Sequence, residues 1–475
     1  MIWLVLALVV FIFQMATILI AEFRRPAKAV AWLLILFVFP LIGFVMYYFM
    51  AKDFQRRRTV RKRGVIAGEH RLKALRRCKL VNRISDLGEG RFDHQERLFS
   101  LLHNLAQSPI TGCNTVRILN DGQATFDAIL QAMAEAKHHI HLEYYTVRDD
   151  EIGQRFKEMM LRKAREGVEI RLIYDGVGSY ELSAAYLREL AEAGVQTNCF
   201  LTPRLAFFDK RMNYRNHRKI VVIDGTVGFL GGINIGDEYV GGNPKLGFWR
   251  DLHLQISGDA VYFLQDVFMR DWWFTAREKL ENEAYMPEHG CETDQHVQII
   301  SSGPDSTADT ILECLSGAIG VAKRSIYVAT PYFIPDQSIL MGLRTAALAG
   351  VDVRILIPQR ADSRLVMYAS LSYVEDLMTA GVRFYRYQKG FIHSKLTIID
   401  DLVASVGTAN MDMRSFFSNF EINAMLFDEA PIRQLTEDFM RDLEDSKELH
   451  LAEFHARPRL QRASEIAARM LSPLL

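Results

Sequence analysis

The sequence predicts an α/β chain: two like α/β sandwich repeats related by a pseudo-twofold axis, preceded by an α-helical transmembrane hairpin. Three observations predict it. From about Cys113 onward the chain nearly repeats itself once. Inside each copy, runs with apolar residues at i, i+3 and i+4 alternate with short Val/Ile-rich runs such as Val168 to Tyr174 and Val351 to Ile357. That alternation describes a mixed sheet covered by helices. Ahead of both copies lie two long stretches without a charge. The 475 residues divide into a hairpin (1–51), a basic linker with a helical juxtamembrane segment (52–111), a first repeat (112–290) and a second repeat (291–475).

Ile2 to Ala21 and Ala29 to Met50 are the uncharged stretches, 20 and 22 residues long. At about 1.5 Å per residue either can cross a hydrocarbon layer of about 30 Å as a helix. Trp32, Tyr47 and Tyr48 stand near the ends of the second, where amphipathic rings suit an interface, and Pro40 is placed to kink it. A cleaved signal peptide fits less well, since a basic n-region and an A-x-A site are lacking and a second span follows at once. The chain carries 57 basic and 57 acidic residues, yet Lys52 to Lys79 holds twelve Lys/Arg against Asp53 and Glu69. Anionic headgroups are the natural counterpart of such a run, and the positive-inside rule puts this side of the membrane in the cytoplasm. Arg24, Arg25 and Lys28 in the hairpin turn argue for the reverse orientation.

The two copies align closely. Ala136 to Leu142 answers to Ala322 to Val328, and Ala193-Gly194-Val195 to Ala380-Gly381-Val382. The offset then shortens, so the first copy carries extra residues around Leu201 to Asn216. Leu201, Leu205, Phe207 and Phe208 beside Arg204, Lys210, Arg211 and Arg215 suit a loop that dips into a membrane interface. Glu281 to Thr293, acidic and Pro-containing, joins the copies.

The chemistry is concentrated in a motif that occurs once per copy. His217-x-Lys219-x4-Asp224 is followed by Gly231-x-x-Asn234, and His393-x-Lys395-x4-Asp400 by Gly407-x-x-Asn410, with identical spacing. Ile220 to Ile223 and Leu396 to Ile399 read as strands, and His and Lys two apart on a strand project from one face. Asp224-Gly225 reads as a tight turn into Val227 to Leu230. An imidazole and an ammonium aimed at one spot suit a phosphodiester: the first attacks phosphorus or moves a proton, the second stabilises charge on non-bridging oxygens. One copy supplies only half of that machinery. Each imidazole also needs a carboxylate to fix its tautomer, and Asp251 and Glu421, each opening a strand after its motif, are better placed for this than Asp224.

The doubled motif resembles the phospholipase D superfamily. With the hairpin and the segments Tyr214 to Lys219, Trp249-Arg250-Asp251, Thr330 to Phe333, Asn410 to Ser415, Asn419-Phe420-Glu421 and Ser472 to Leu475, the whole chain is similar to bacterial cardiolipin synthases. The resemblance implies a metal-free, cofactor-free phosphatidyltransferase of the bacterial inner membrane. It would join two phosphatidylglycerols to give cardiolipin and glycerol through a phosphohistidine. The implied catalytic residues are His217, Lys219, Asp224, His393, Lys395 and Asp400, with Asn234, Asn410, Arg215, Arg250 and Arg414 on the substrate. His217 is favoured as the nucleophile and His393 as the acid and base; the reverse assignment stays open.

A phospholipid hydrolase of the same superfamily differs only in its acceptor. A nuclease fits less well, because residues 1–51 are +2 and Lys52 to Lys79 is +10, which leaves −12 from Leu80 onward. A groove that tracks a phosphate backbone is basic. A membrane scaffold with a dead enzyme domain has no need of both intact motifs. The five cysteines form no Cys/His cluster and read as reduced, mostly buried thiols.

Overall fold

A computed structural model of the chain describes residues 2–22, 26–50, 72, 74–88, 90–105, 108–202, 214–306 and 308–475. Most of the basic run after Lys52, and positions 203–213 of the extra loop, lie outside the described residues.

The N-terminal elements are α1 (Ile2–Ala21), α2 (Pro26–Val38) and α3 (Pro40–Met50). Pro40 has no N–H, and the expected second helix ends at Val38 and restarts at Pro40. Ile18, Ala29, Trp32, Leu36 and Tyr47 form a small core between the three helices. α2 and α3 are 13 and 11 residues long, and the side chains at positions 4, 6 and 7 of α1 lie outside the described set. Among the described residues no helix is long and apolar enough to cross a membrane.

After α4 (Glu96–Leu105) the first repeat runs β1 (Thr111–Asp121), α5 (Gly122–Glu135), β2 (His139–Tyr144), α6 (Glu151–Arg165), β3 (Glu169–Asp175), α7 (Ala184–Glu192), β4 (Gln196–Phe200), β5 (Arg215–Asn216), β6 (Ile220–Ile223), β7 (Val227–Gly231), β8 (Phe248–Gly258) and α8 (Ala260–Ala276). The second runs β9 (Gln295–Ser302), α9 (Thr310–Gly320), β10 (Ser325–Ala329), β11 (Phe333–Ile334), α10 (Gln337–Leu348), β12 (Asp352–Pro358), α11 (Arg364–Thr379), β13 (Arg383–Tyr387), β14 (Gly390–Ile392), β15 (Leu396–Ile399), β16 (Val403–Gly407), β17 (Met411–Asp412), α12 (Met413–Phe417), β18 (Asn419–Leu426) and α13 (Glu429–Glu444). It ends with β19 (Ser446–Glu448), α14 (Leu451–His455) and α15 (Arg459–Leu471).

The two sheets have the same order. In the first it is β4-β3-β2-β6-β7-β8-β1, in the second β13-β12-β10-β15-β16-β18-β9, with parallel pairs at the β4 and β13 edges and antiparallel pairs elsewhere. β1 also pairs with β9 and joins the sheets. Along β6, Ile220 and Val222 face one core while Val221 and Ile223 face another, as a strand buried on both sides requires. The core shared by the repeats holds α8 and α13, and each repeat has a separate core under its other helices.

Two short strands cross between repeats. β5 lies parallel to the head of β18, and β14 parallel to the head of β8. The exchange is reciprocal, and it positions the site.

The thiol expectation is corrected at one pair. Cys113 and Cys291, 178 residues apart, form a disulfide, with Cα atoms 5.3 Å apart. The chain ahead of β9 returns along β1, as the hydrogen bond from Thr293 to the Asn114 carbonyl records, and brings together two thiols whose spacing is uninformative. Cys78, Cys199 and Cys314 are free.

Candidate active site

His217 follows β5, and its backbone N–H donates to the Phe420 carbonyl of the other repeat at 3.0 Å. The next residue of β18 is Glu421, fully buried, with its carboxylate oxygens 2.9 and 3.0 Å from His217 Nδ1. A carboxylate only accepts, so Nδ1 carries the proton and Nε2 keeps its lone pair. Thr408 Oγ1 and Asn419 Nδ2 donate to the same carboxylate. The Tyr145 ring packs edge-on against the imidazole at 5.2 Å.

The second motif repeats this with partners from the first repeat. His393 N–H donates to the Arg250 carbonyl at 2.7 Å, and His393 Nδ1 lies 2.7 Å from Asp251 Oδ2. Trp249 Nε1 and the Leu252 N–H hold Asp251 in turn. The Trp249 ring packs against His393 at 5.0 Å. Each histidine is therefore oriented by the opposite repeat, and neither half-site is complete alone.

Lys219 and Lys395 are buried, and each ammonium donates to the carbonyl of its own motif histidine, at 2.8 and 2.6 Å. Neither makes an ion pair among the described residues. Burial lowers Lys219 to about 7, with the charge of Lys395 adding to it, and lowers Lys395 to about 8 against the pull of Asp251 and Glu421. Burial first, and both lysines next to it, lower His217 to about 4 and His393 to about 3, against the pull of Glu421 and Asp251. Burial acts to raise Glu421 and Asp251, but the paired histidines and the lysines outweigh it and hold both carboxyls below their ordinary values. That Lys395 acts on His217 and Lys219 on His393 places the four side chains in one electrostatic environment. Two buried ammonium groups without an ion pair make an anion site.

Other expected residues fall elsewhere. Asp224 accepts the backbone N–H groups of Lys137, His138 and His139, and Asp400 those of Lys323, Arg324 and Ser325. Both sit at positive φ, 51° and 54°, in the turn after the motif strand. They lie beyond the far end of β6 and β15 and tie those turns to the strand beside them. The Arg250 guanidinium donates to Asp442, the Asn120 carbonyl and the Asp251 carbonyl. Asn234 accepts from the Thr146 N–H and donates to Tyr239 Oη, whereas Asn410 Oδ1 is buried without a partner. Arg215 Nη1 donates to the Tyr214 carbonyl, and the half-buried Arg414 is lowered by desolvation and then by the charge of Arg215.

Sequence reasoning missed Tyr145, Thr408 and Gly232. The last two share one position, directly after the motif glycine, where the copies read Gly231-Gly232 and Gly407-Thr408; that difference was the available signal. Among the described residues no group of three or more His, Cys, Asp or Glu is arranged to hold a metal ion.

Paired sheets that exchange strands around two H-x-K motifs define an enzyme of the phospholipase D superfamily. The family described as "Cardiolipin synthase, PLD-like domain" matches residues 129–272 and 315–443, and "Phospholipase_D-nuclease N-terminal" matches residues 2–51. A cardiolipin synthase of Halalkalibacterium halodurans is 45% identical over 462 residues, 96% of this chain and 91% of that one. The major cardiolipin synthase of Bacillus subtilis is 40% identical over 474 residues, 97% of this chain and 96% of that one. The crystal structure of a phosphatidylserine synthase from Haemophilus influenzae superimposes with a TM-score of 0.62 at 14% identity, covering 80% of this chain and all of that one, a likeness of fold. The chain belongs to the cardiolipin synthase family of phosphatidyltransferases.

Proposed function

We propose that the chain joins two phosphatidylglycerols into cardiolipin and glycerol, with both motifs serving one phosphorus. His217 Nε2 attacks the phosphorus of the first lipid and the P–O bond to its headgroup glycerol breaks. His393 enters this step as the imidazolium, a form that Asp251 and the bound phosphodiester anion favour, and gives that glycerol its Nε2 proton. His393 then takes the proton from a headgroup hydroxyl of the second lipid, whose oxygen displaces His217 and closes the new phosphodiester. Glu421 and Asp251 hold the imidazoles with Nε2 toward the substrate and stabilise their positive forms. Lys219, Lys395 and Asn410 stabilise the non-bridging oxygens, with Arg215 and Arg414 beside them and Asn234 holding the loop.

The observation that carries this reading is the reciprocal pairing of His217 with Glu421 and His393 with Asp251, each across the repeats. We read 1–51 as a two-helix anchor of the inner membrane, 52–111 as the basic linker and juxtamembrane segment, and 112–290 and 291–475 as the two repeats, with the catalytic part cytoplasmic on the charge of the basic run. In support of the anchor, α1 to α3 expose Trp3, Phe37 and Leu41 at 81%, 75% and 73%. Anionic lipid is then both substrate and surface.

Product analysis with purified protein and phosphatidylglycerol tests the reaction. Cardiolipin and glycerol in equal amounts are expected; phosphatidic acid with glycerol makes the chain a hydrolase. A covalent lipid phosphate on His217 supports its role as nucleophile, and labelling of His393 reverses the roles.

A further inference from the structure

The C-terminal helix α15 is amphipathic in the unusual sense. Its inward side carries its ion pairs: Glu465 with Arg457, and Arg469 with Asp376 of α11. Its outward side is apolar. At 3.6 residues per turn, Leu460, Ala463, Ile466, Ala467 and Met470 fall in one sector of about 120°. All five are exposed, with Leu460, Ile466 and Met470 at 79%, 65% and 45%. Arg459 begins the helix, exposed within the same sector at its N-terminal end.

What covers the face is indicated by where the helix leads. From Leu471 the chain turns through Ser472–Leu474, which packs against α2, and Leu474 touches the apolar core of the hairpin. The Leu475 carbonyl accepts the Arg414 N–H at 3.1 Å, at the start of α12, the short helix that leads into β18 and Glu421. The apolar face of α15 is thus continuous with the hairpin surface at one end and tied to the second motif at the same end.

We propose that the outward face of α15 lies in the headgroup region of the bilayer, the partner being a phospholipid surface, and that it sets the height and tilt of the active site against that surface. The proposal rests on the reading of the hairpin as a membrane anchor. A helix with an apolar stripe that starts at an arginine has the composition of an interfacial helix, which lies in the plane of the membrane and does not cross it. Burying Leu460, Ile466 and Met470 there removes from water side chains that the folded chain leaves in it.

The full chain in nanodiscs of phosphatidylglycerol and phosphatidylethanolamine, with an environment-sensitive fluorescent amino acid at position 466, tests this by quenching from brominated acyl chains. Position 37 in α2 reports on the hairpin, and exposed position 192 in α7 is the control. Quenching at 466 and 37 but not at 192 is expected. Quenching at 37 alone overturns the proposal and leaves the anchor standing; no quenching at either position removes the anchor as well. A signal at 466 that depends on protein concentration and not on bromine makes a second copy the occupant and overturns it. As a second measurement, Ile466→Asp with Met470→Asp is expected to lower turnover on bilayers on the order of tenfold, sparing a short-chain, monomerically dissolved lipid. An equal loss on both substrates overturns the proposal.

Discussion

The two motifs deliver the same hydrogen bond with different parts. In the second repeat the carboxylate is the longer Glu421, and it leans on Thr408 and Asn419. In the first it is the shorter Asp251, and the residue matching Thr408 is Gly232. A Cβ added to Gly232 would meet Asp251 Oδ1 at 2.0 Å, so Asp251 occupies the space that a side chain would need. Trp249 takes the part of Asn419 and adds a ring against His393. The half-site around His393 is thereby filled by the carboxylate itself and an indole, and the one around His217 by a hydroxyl network. The duplicated sequence keeps the imidazole and ammonium and lets the support diverge, because only the position of Nε2 is constrained by the chemistry.

Replacing the histidines separates the halves most strongly. His217→Ala is expected to remove both turnover and covalent label. His393→Ala should cost about 10²- to 10⁴-fold with ordinary lipid yet still accept label from a substrate whose leaving group needs no proton. Equal labelling losses in both variants would erase the assigned difference in roles.

The supporting parts come next. Gly232→Ala is expected to push Asp251 off His393 and lower turnover by about 10²-fold or more, the scale seen when a histidine loses its orienting carboxylate. Thr408→Ala removes one of several donors to Glu421 and should cost only about tenfold. If Thr408→Ala is as damaging as Gly232→Ala, the two half-sites hold their carboxylates with equal redundancy.

The lysines give an effect of opposite sign on stability and activity. Lys219→Met and Lys395→Met should each lower turnover by about 10²- to 10³-fold through lost charge stabilisation. The same changes should raise the melting temperature at neutral pH. The folded values of about 7 and about 8 lie below the unfolded value near 10.5, so the folded chain loses stability as pH falls from about 10.5 toward 7. The gain from Met is therefore largest at or below pH 7 and vanishes above about pH 10.5. Melting curves of wild type and variants across that range decide it. Bound phosphate should shrink the gain by pairing with the wild-type ammonium groups.

The smallest contrast is at the motif aspartates. Asp224→Asn and Asp400→Asn should each cost about 1–3 kcal/mol of stability, as charged acceptors of three backbone N–H groups, with little change in the kcat of the folded enzyme. A selective fall in kcat at unchanged stability would return them to the chemistry.

Much of this was determined by the sequence. Periodicity and the internal repeat specify two α/β sandwiches, because burying one face of each helix and both faces of each strand requires those patterns. The doubled H-x-K motif specifies an anion site, since two lysines at such positions have no other use for their charge. The family's segments, including Trp249-Arg250-Asp251 and Asn419-Phe420-Glu421, were also visible along the chain.

What tertiary structure alone decided is which partner each group meets. Nothing in the spacing tells that Glu421 serves His217, 204 residues away, and Asp251 serves His393; that follows from β5 and β14 crossing to the opposite sheets. Arg250 and the motif aspartates looked equal to their neighbours in the sequence, and only packing turned them to Asp442 and to backbone N–H groups. The Cys113 and Cys291 pairing was hidden for the same reason. Local sequence sets periodicity and reach within a segment, whereas contacts between residues hundreds of positions apart depend on how whole sheets meet.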